Sequence, residues 1–175
     1  MLVLDCGLPM RRFLAFMLLV AAGLYPNGCD RAKNQARVED SPQTQQMITA
    51  LRAAYAAFNR GDIDAALAPF DAQIECSEPP EFGGGTYHGR DGVKQYLTQS
   101  RSAWLEGSSE PEQLIAVGSE CASLYFVHAR FRPKGSDSWQ HVRLADVYTV
   151  RDGKAIEMRA FTDRQAALRW ARDER

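Results

Sequence analysis

A series of period-two segments in the second half of the chain constrains its fold more than any other feature. Between residues 112 and 162, stretches at 112–118, 121–132 and 139–151 lead to a fourth at 154–162. Arg151-Asp152-Gly153-Lys154 separates the last two, and Asp-Gly between apolar runs predicts a hairpin. A sheet is therefore built late in the chain.

The first half has helical spacing instead. Over residues 44–62, Met47, Leu51, Tyr55 and Phe58 fall on one stripe. Gly61 suits the position beyond the helix end, and Asp62 suits the cap of a short helix over 63–70. Residues 71–78 read as a strand with Ile74, Cys76 and Glu78 on one face. A third helix is predicted over 91–105, turning Val93, Tyr96, Leu97 and Trp104 toward the core. Asp163 is placed to cap a final helix. Helices followed by consecutive antiparallel strands make the α+β pattern.

The N-terminus reads differently. Met10, a candidate start, precedes Arg11-Arg12 and an uncharged apolar run from Phe13 to Leu24. That run is too short for an ordinary membrane span but matches the apolar region of a secretory signal. Cys29 follows the small residue Gly28, as in a bacterial lipoprotein signal whose cysteine is lipidated. Three segments follow: signal-like residues 1–29, a polar tether at 30–43, and one folded domain at 44–173. The expected location is outside the cytoplasm, with membrane anchoring through Cys29 as one form of it.

Charge excludes one class of partner. With 21 basic and 22 acidic residues and no basic stripe, the chain has no electrostatic footprint for nucleic acid. His88, His128 and His141 are scattered and no metal-ligand spacing occurs, so neither a metal nor a cofactor is expected. Cys76 and Cys121 read as buried free thiols, with a disulfide between them as the alternative in an exported chain.

Two acids stand out. Gln140, Val142, Leu144, Asp146, Tyr148 and Val150 share one face of the 139–151 strand, and Asp146 lies in the middle of this mainly apolar set. A buried carboxyl must be hydrogen-bonded, paired or protonated. Asp146 is thus either a structural acid with a local partner or a cavity acid kept neutral to donate a hydrogen bond. Glu78 ends the first strand, below the loop Pro79-Pro80-Glu81-Phe82-Gly83-Gly84-Gly85. It reads as a solvated rim residue or as an ionised general base. Tyr148, Met158 and Trp104 would line the core or a pocket. On the opposite face, Trp139, Ala145 and Val147 beside His141 and Arg143 suggest a homodimer contact.

Residues 53–97 and 145–168 together resemble the SnoaL-like and ketosteroid-isomerase-like proteins of the nuclear transport factor 2-like superfamily. The marks are RGDIDAAL, YHGRDGV and DVYTVRDGK. The resemblance implies a curved antiparallel sheet wrapped around three helices, a cone with an internal apolar pocket. It implies that Asp146 matches the isomerases' protonated oxyanion-hole acid, a pairing of fold and chemistry already well known. It also implies that Glu78-Pro79 matches the segment carrying their general base. Ala54 aligns with their helix-one tyrosine, and Tyr55 is its neighbour. Arg143 is one residue too far from Asp146, and Ala160 replaces a second acid, for the limonene-epoxide-hydrolase arrangement.

The expected function is binding of a small, largely apolar molecule, with cofactor-free isomerase- or cyclase-type proton transfer as its catalytic form. Asp146 and Glu78 would be the catalytic pair, with Tyr55, Cys76, Tyr148, Met158 and Trp104 in the pocket. The alternative is a non-catalytic exported or lipid-anchored binding or assembly module.

Overall fold

The computed structural model describes residues 41–117 and 122–173. The signal-like segment, Cys29, nearly all of the tether and Cys121 lie outside the described residues.

Helix α1 spans Pro42–Arg60, two residues earlier than the periodicity predicts. Ser41 caps it by accepting a hydrogen bond from the Thr44 amide at 3.1 Å, and Pro42 suits a first turn that lacks an amide partner. Gly61 ends the helix with φ +79°, the left-handed conformation that glycine adopts without steric penalty. Asp62 then accepts from the Ala65 amide and starts α2, Ile63–Ala66. This helix is shorter than expected: Pro69 precedes Phe70, which already begins strand β1, Phe70–Ser77.

A 3-10 turn at Pro80–Phe82 leads to β2, Thr86–His88, a strand with too few residues to show a period. Helix α3 covers Gly89–Ser102. Trp104 therefore does not extend that helix, as the sequence suggested, but opens β3, Trp104–Val117. Strand β3 starts eight residues before its expected position at 112 and carries Gly107 and Pro111 at or next to register shifts. Both are tolerated because β3 is an edge strand, where a bulge or a missing amide leaves the sheet interior paired.

Strands β4 (Ala122–Pro133), β5 (Gln140–Arg151) and β6 (Lys154–Phe161) complete one sheet in the order β2-β1-β6-β5-β4-β3. The sheet is curved and open, and it is antiparallel except for one pair. Strands β1 and β6 run parallel, with Cys76 opposite Met158.

Helices α1 to α3 pack on one side of this sheet. There Met47, Leu51, Ile74, Val93 and Tyr125 form a buried core. Helix α4, Arg164–Asp173, packs on the other side, capped by Asp163, which accepts from the Ala166 amide. Its Ala167 and Ala171 cover Ala145 and Val147. Those two strand residues were expected to supply the apolar part of a dimer contact. They are 2% and 0% exposed because α4 of the same chain occupies their face. Trp139 carries the Arg130 guanidinium at 3.7 Å from its ring centre, which further removes apolar surface from that side.

Candidate functional site

A cavity of about 450 Å³ opens between the helical layer and the inner face of the sheet. All five expected pocket residues (Tyr55, Cys76, Trp104, Tyr148 and Met158) line it, and so do Glu78 and Asp146. Several elements converge here because of simple periodicities. The α1 stripe contributes Tyr55, even-numbered β5 positions contribute Asp146 and Tyr148, and the end of β1 delivers Glu78.

Asp146 is 6% exposed, so its carboxyl has lost its water shell. One oxygen is compensated. Tyr55 Oη donates to Asp146 Oδ2 at 2.5 Å and lies 3.0 Å from Tyr148 Oη, forming a Tyr-Tyr-Asp chain across the cavity wall. The other oxygen, Oδ1, is buried with no hydrogen-bond partner among the described residues. A buried carboxyl with one oxygen unpaired is costly unless it is protonated or its charge is compensated.

Glu78 is held by its loop. Its amide donates to the Gly85 carbonyl at 2.9 Å, closing the loop at the strand end. The chain between makes a tight turn, with the Phe82 and Gly83 amides donating to Pro79 and Pro80. Phe82 and Gly83 also line the cavity, so this loop forms part of its wall. Glu81 is exposed and accepts a hydrogen bond from Thr162 at 2.9 Å, tying the loop to the segment after β6.

The environment pushes both acids upward. Burial raises Glu78 to about 8, the nearby Asp146 charge adds to the rise, and a hydrogen bond from Tyr96 opposes it. Burial also raises Asp146, but only to about 6, because the Tyr55 hydrogen bond favours its charged form. Near neutrality the pair retains a proton between them. Glu78 is half-buried where the strand meets the loop, and Tyr87 and Tyr96, whose rings stack at 4.3 Å, line the same cavity. The two acids titrate as a coupled pair.

Of the remaining candidates, Cys76 lines the cavity beside the acids, whereas none of the three histidines does. Cys76 is a buried free thiol whose pKa is pushed well up by burial and by both acids, so it remains protonated. His88 is exposed and faces Glu75 at 3.3 Å on the surface. His128 and His141 contact one another, Nε2 to Nδ1 at 3.3 Å, away from the cavity. Sequence reasoning missed Tyr87, because β2 is too short to register. It also missed Asn59, whose side chain accepts from the Ser109 amide at 2.8 Å and donates to its carbonyl at 3.1 Å. That reciprocal pair fastens α1 to the edge strand beside the cavity.

A family model for the SnoaL-like domain matches residues 51–158. The chain belongs to this family. Solved structures agree on the fold. TerC, crystallised with polyporic acid, is 25% identical at a TM-score of 0.59, over 69% of this chain and 94% of its own. SalBIII, an epoxide hydrolase/cyclase-like enzyme of pyran ring formation in the polyether salinomycin, is 22% identical at a TM-score of 0.58. That match covers 67% of this chain and 90% of SalBIII. A ketosteroid-isomerase-like protein from Catenulispora acidiphila DSM 44928, in complex with trimethylamine, is 15% identical at a TM-score of 0.57. It covers 66% of this SnoaL-like chain and 83% of its own. No curated protein matches the sequence.

Proposed function

We propose that this SnoaL-like chain binds a small, largely apolar molecule in its cavity and moves a proton on it, as an isomerase or cyclase does. The observation that carries this reading is the state of Asp146: a buried carboxyl with Oδ2 held by Tyr55 and Oδ1 unpartnered in a cavity wall. Ligand-bearing and cyclase-like neighbours of the same fold support it.

In this reading Asp146 Oδ1 accepts a proton from the ligand while Tyr55 keeps the carboxylate oriented. Glu78, protonated at rest, donates its proton to the ligand atom on which negative charge develops. The ligand leaves as an isomer once one proton has been taken and one returned, and proton exchange restores the pair. Cys76 and Tyr148 remain neutral and shape the wall. The mechanism invokes no cofactor.

Incubation of the protein with a mixed metabolite extract, followed by mass spectrometry of retained and altered compounds, identifies the substrate. With that substrate, Asp146→Asn and Glu78→Gln are each expected to reduce turnover by about 10²- to 10⁴-fold. Normal turnover in variants whose melting temperature has changed would reject the catalytic role and leave the acids structural.

A second reading rests on residues 10–29. The Arg11-Arg12 pair, the apolar run and Cys29 favour an exported or lipid-anchored module, catalytic or not. Expressed from Met10 in a bacterium, the chain should lose its leader and carry acyl label on Cys29. An intact N-terminus rejects export, whereas cleavage without acylation rejects only the anchor.

A further inference from the structure

The cavity wall is chemically one-sided. It contains nine aromatic side chains and the two carboxyls of Glu78 and Asp146, but no Lys, Arg or His among the described residues. Its other polar side chains, Gln99, Ser100 and Ser109, are neutral. The ionisable groups around the pair are all weak acids: Tyr55 on α1, Cys76 on β1, Tyr87 on β2, Tyr96 on α3 and Tyr148 on β5. Strand β6 contributes Met158, which carries no charge. Arg52 acts on Tyr125, and the Arg101 guanidinium sits 5.8 Å from the ring centre of Trp104, but neither arginine lines the cavity.

A buried and a half-buried carboxyl with no basic residue in the cavity wall ionise together more readily when a positive charge joins them. A proton fills that role in the free protein. A cationic ligand fills it equally well, and aromatic faces attract a cation more strongly when water is excluded. Asp146 lines the cavity with one carboxyl oxygen unpartnered, so its charge is not compensated by the protein. An anionic ligand would meet the two carboxyls and no cationic side chain in the lining.

We infer that the cavity selects an organic cation, a tertiary or quaternary amine carrying an apolar body, seated between the two carboxyls and the aromatic wall. This rests on the cavity-binding reading above and narrows its ligand class. Cation entry lowers the proton affinity of the pair, so part of the proton it holds leaves to solvent, and the fraction of complexes that keeps it is the form the proposed proton transfer uses. No bond is made or broken in the ligand.

Calorimetry on the full chain tests this with phenyltrimethylammonium and its neutral isostere tert-butylbenzene, alongside Nile red as a neutral fluorescent probe of the cavity. At pH 8 the cation is expected to bind at least tenfold more tightly than the isostere. At pH 5, with both carboxyls protonated, that preference should vanish, and near pH 7 cation binding should release protons, seen as a dependence on buffer ionisation enthalpy. The double variant Glu78→Gln/Asp146→Asn should bind the two probes alike, while the pH comparison on the unaltered chain gives a test that no folding defect can obscure. Nile red binding with equal affinity for cation and isostere at pH 8 overturns the cation inference and leaves the cavity reading intact. No binding by any of the three probes overturns both.

Discussion

Gly84 lies directly against Glu78: a Cβ at Gly84 would fall 2.5 Å from the Cβ of Glu78 and 2.8 Å from the Pro79 carbonyl. The glycine-rich loop is therefore more than a flexible connection. It approaches the strand end closely enough to fix where the Glu78 side chain starts, and only a residue without a side chain permits that approach. Gly83 serves a different purpose, closing the 3-10 turn with φ +73°.

Gly84→Ala should accordingly displace the Glu78 backbone. We expect a loss of about 1–3 kcal/mol of stability and a shift of the Glu78 titration toward that of a free glutamate. Carboxyl NMR on the variant measures the shift, and an unchanged Glu78 titration would show that the loop does not position it.

The Tyr55–Asp146 hydrogen bond gives a prediction of opposite sign. Since that bond lowers the Asp146 pKa against the effect of burial, Tyr55→Phe should raise it above about 6. Loss of the hydroxyl also leaves Tyr148 Oη without this partner, for a stability cost of about 1–2 kcal/mol. NMR titration and chemical denaturation read the two effects separately.

Stability should fall as pH rises. Both acids have folded-state pKa values above their ordinary ones, 4.5 to about 8 for Glu78 and 3.8 to about 6 for Asp146. The folded chain thus holds protons that the unfolded chain has released, and stability declines from the ordinary pKa through the folded one. Between pH 4 and pH 8.5 this pair should remove as much as about 7 kcal/mol. Denaturation across that range, repeated with Glu78→Gln/Asp146→Asn, should show the slope reduced in the variant. A stability that increases over this range in the parent alone would contradict the proton assignment.

Once a substrate is in hand, the same proton order predicts a bell-shaped dependence of kcat/KM on pH. Asp146 must be ionised to accept a proton, and Glu78 must be protonated to donate one. The limbs should fall near 6 and 8, as apparent values of the pair. Tyr55→Phe should move the acidic limb upward.

At the edge strand, Gly107 has φ +137°, and a Cβ there would collide with the Arg130 carbonyl and the Phe131 backbone. This close approach accompanies the flat stacking of Trp104 on Phe131, with ring centres 4.5 Å apart. Gly107→Ala should destabilise the protein by about 1–3 kcal/mol and reduce Nile red binding in the cavity, measurable in one thermal and fluorescence series.

Local periodicity made much of this architecture legible. The stripe Met47-Leu51-Tyr55-Phe58 and the caps at Gly61, Asp62 and Asp163 each rest on neighbours within a few residues. Asp146 stood out because an acid on an apolar face has to be explained. What could not be read was long-range. Tyr55 meets Asp146 from 91 residues away, and that contact decides which acid is the more easily ionised. Trp104 continued the apolar spacing of α3, so helix and strand were indistinguishable there until β4 supplied its partner Pro133. Ala145 and Val147, flanked by His141 and Arg143, looked like surface until α4 was seated over them.

The parallel pairing of β1 with β6 also has a consequence for how the chain is made. Residues 70–77 have only the three-residue β2 beside them until residues 154–161 emerge from the ribosome. Closing that span carries a loop-entropy cost before any pairing is gained. The growing chain must therefore hold the unpaired edge of β1, and the acid at its end, until β6 has been made. That interval is when a chaperone or a misfolding partner has its best access to the future cavity wall.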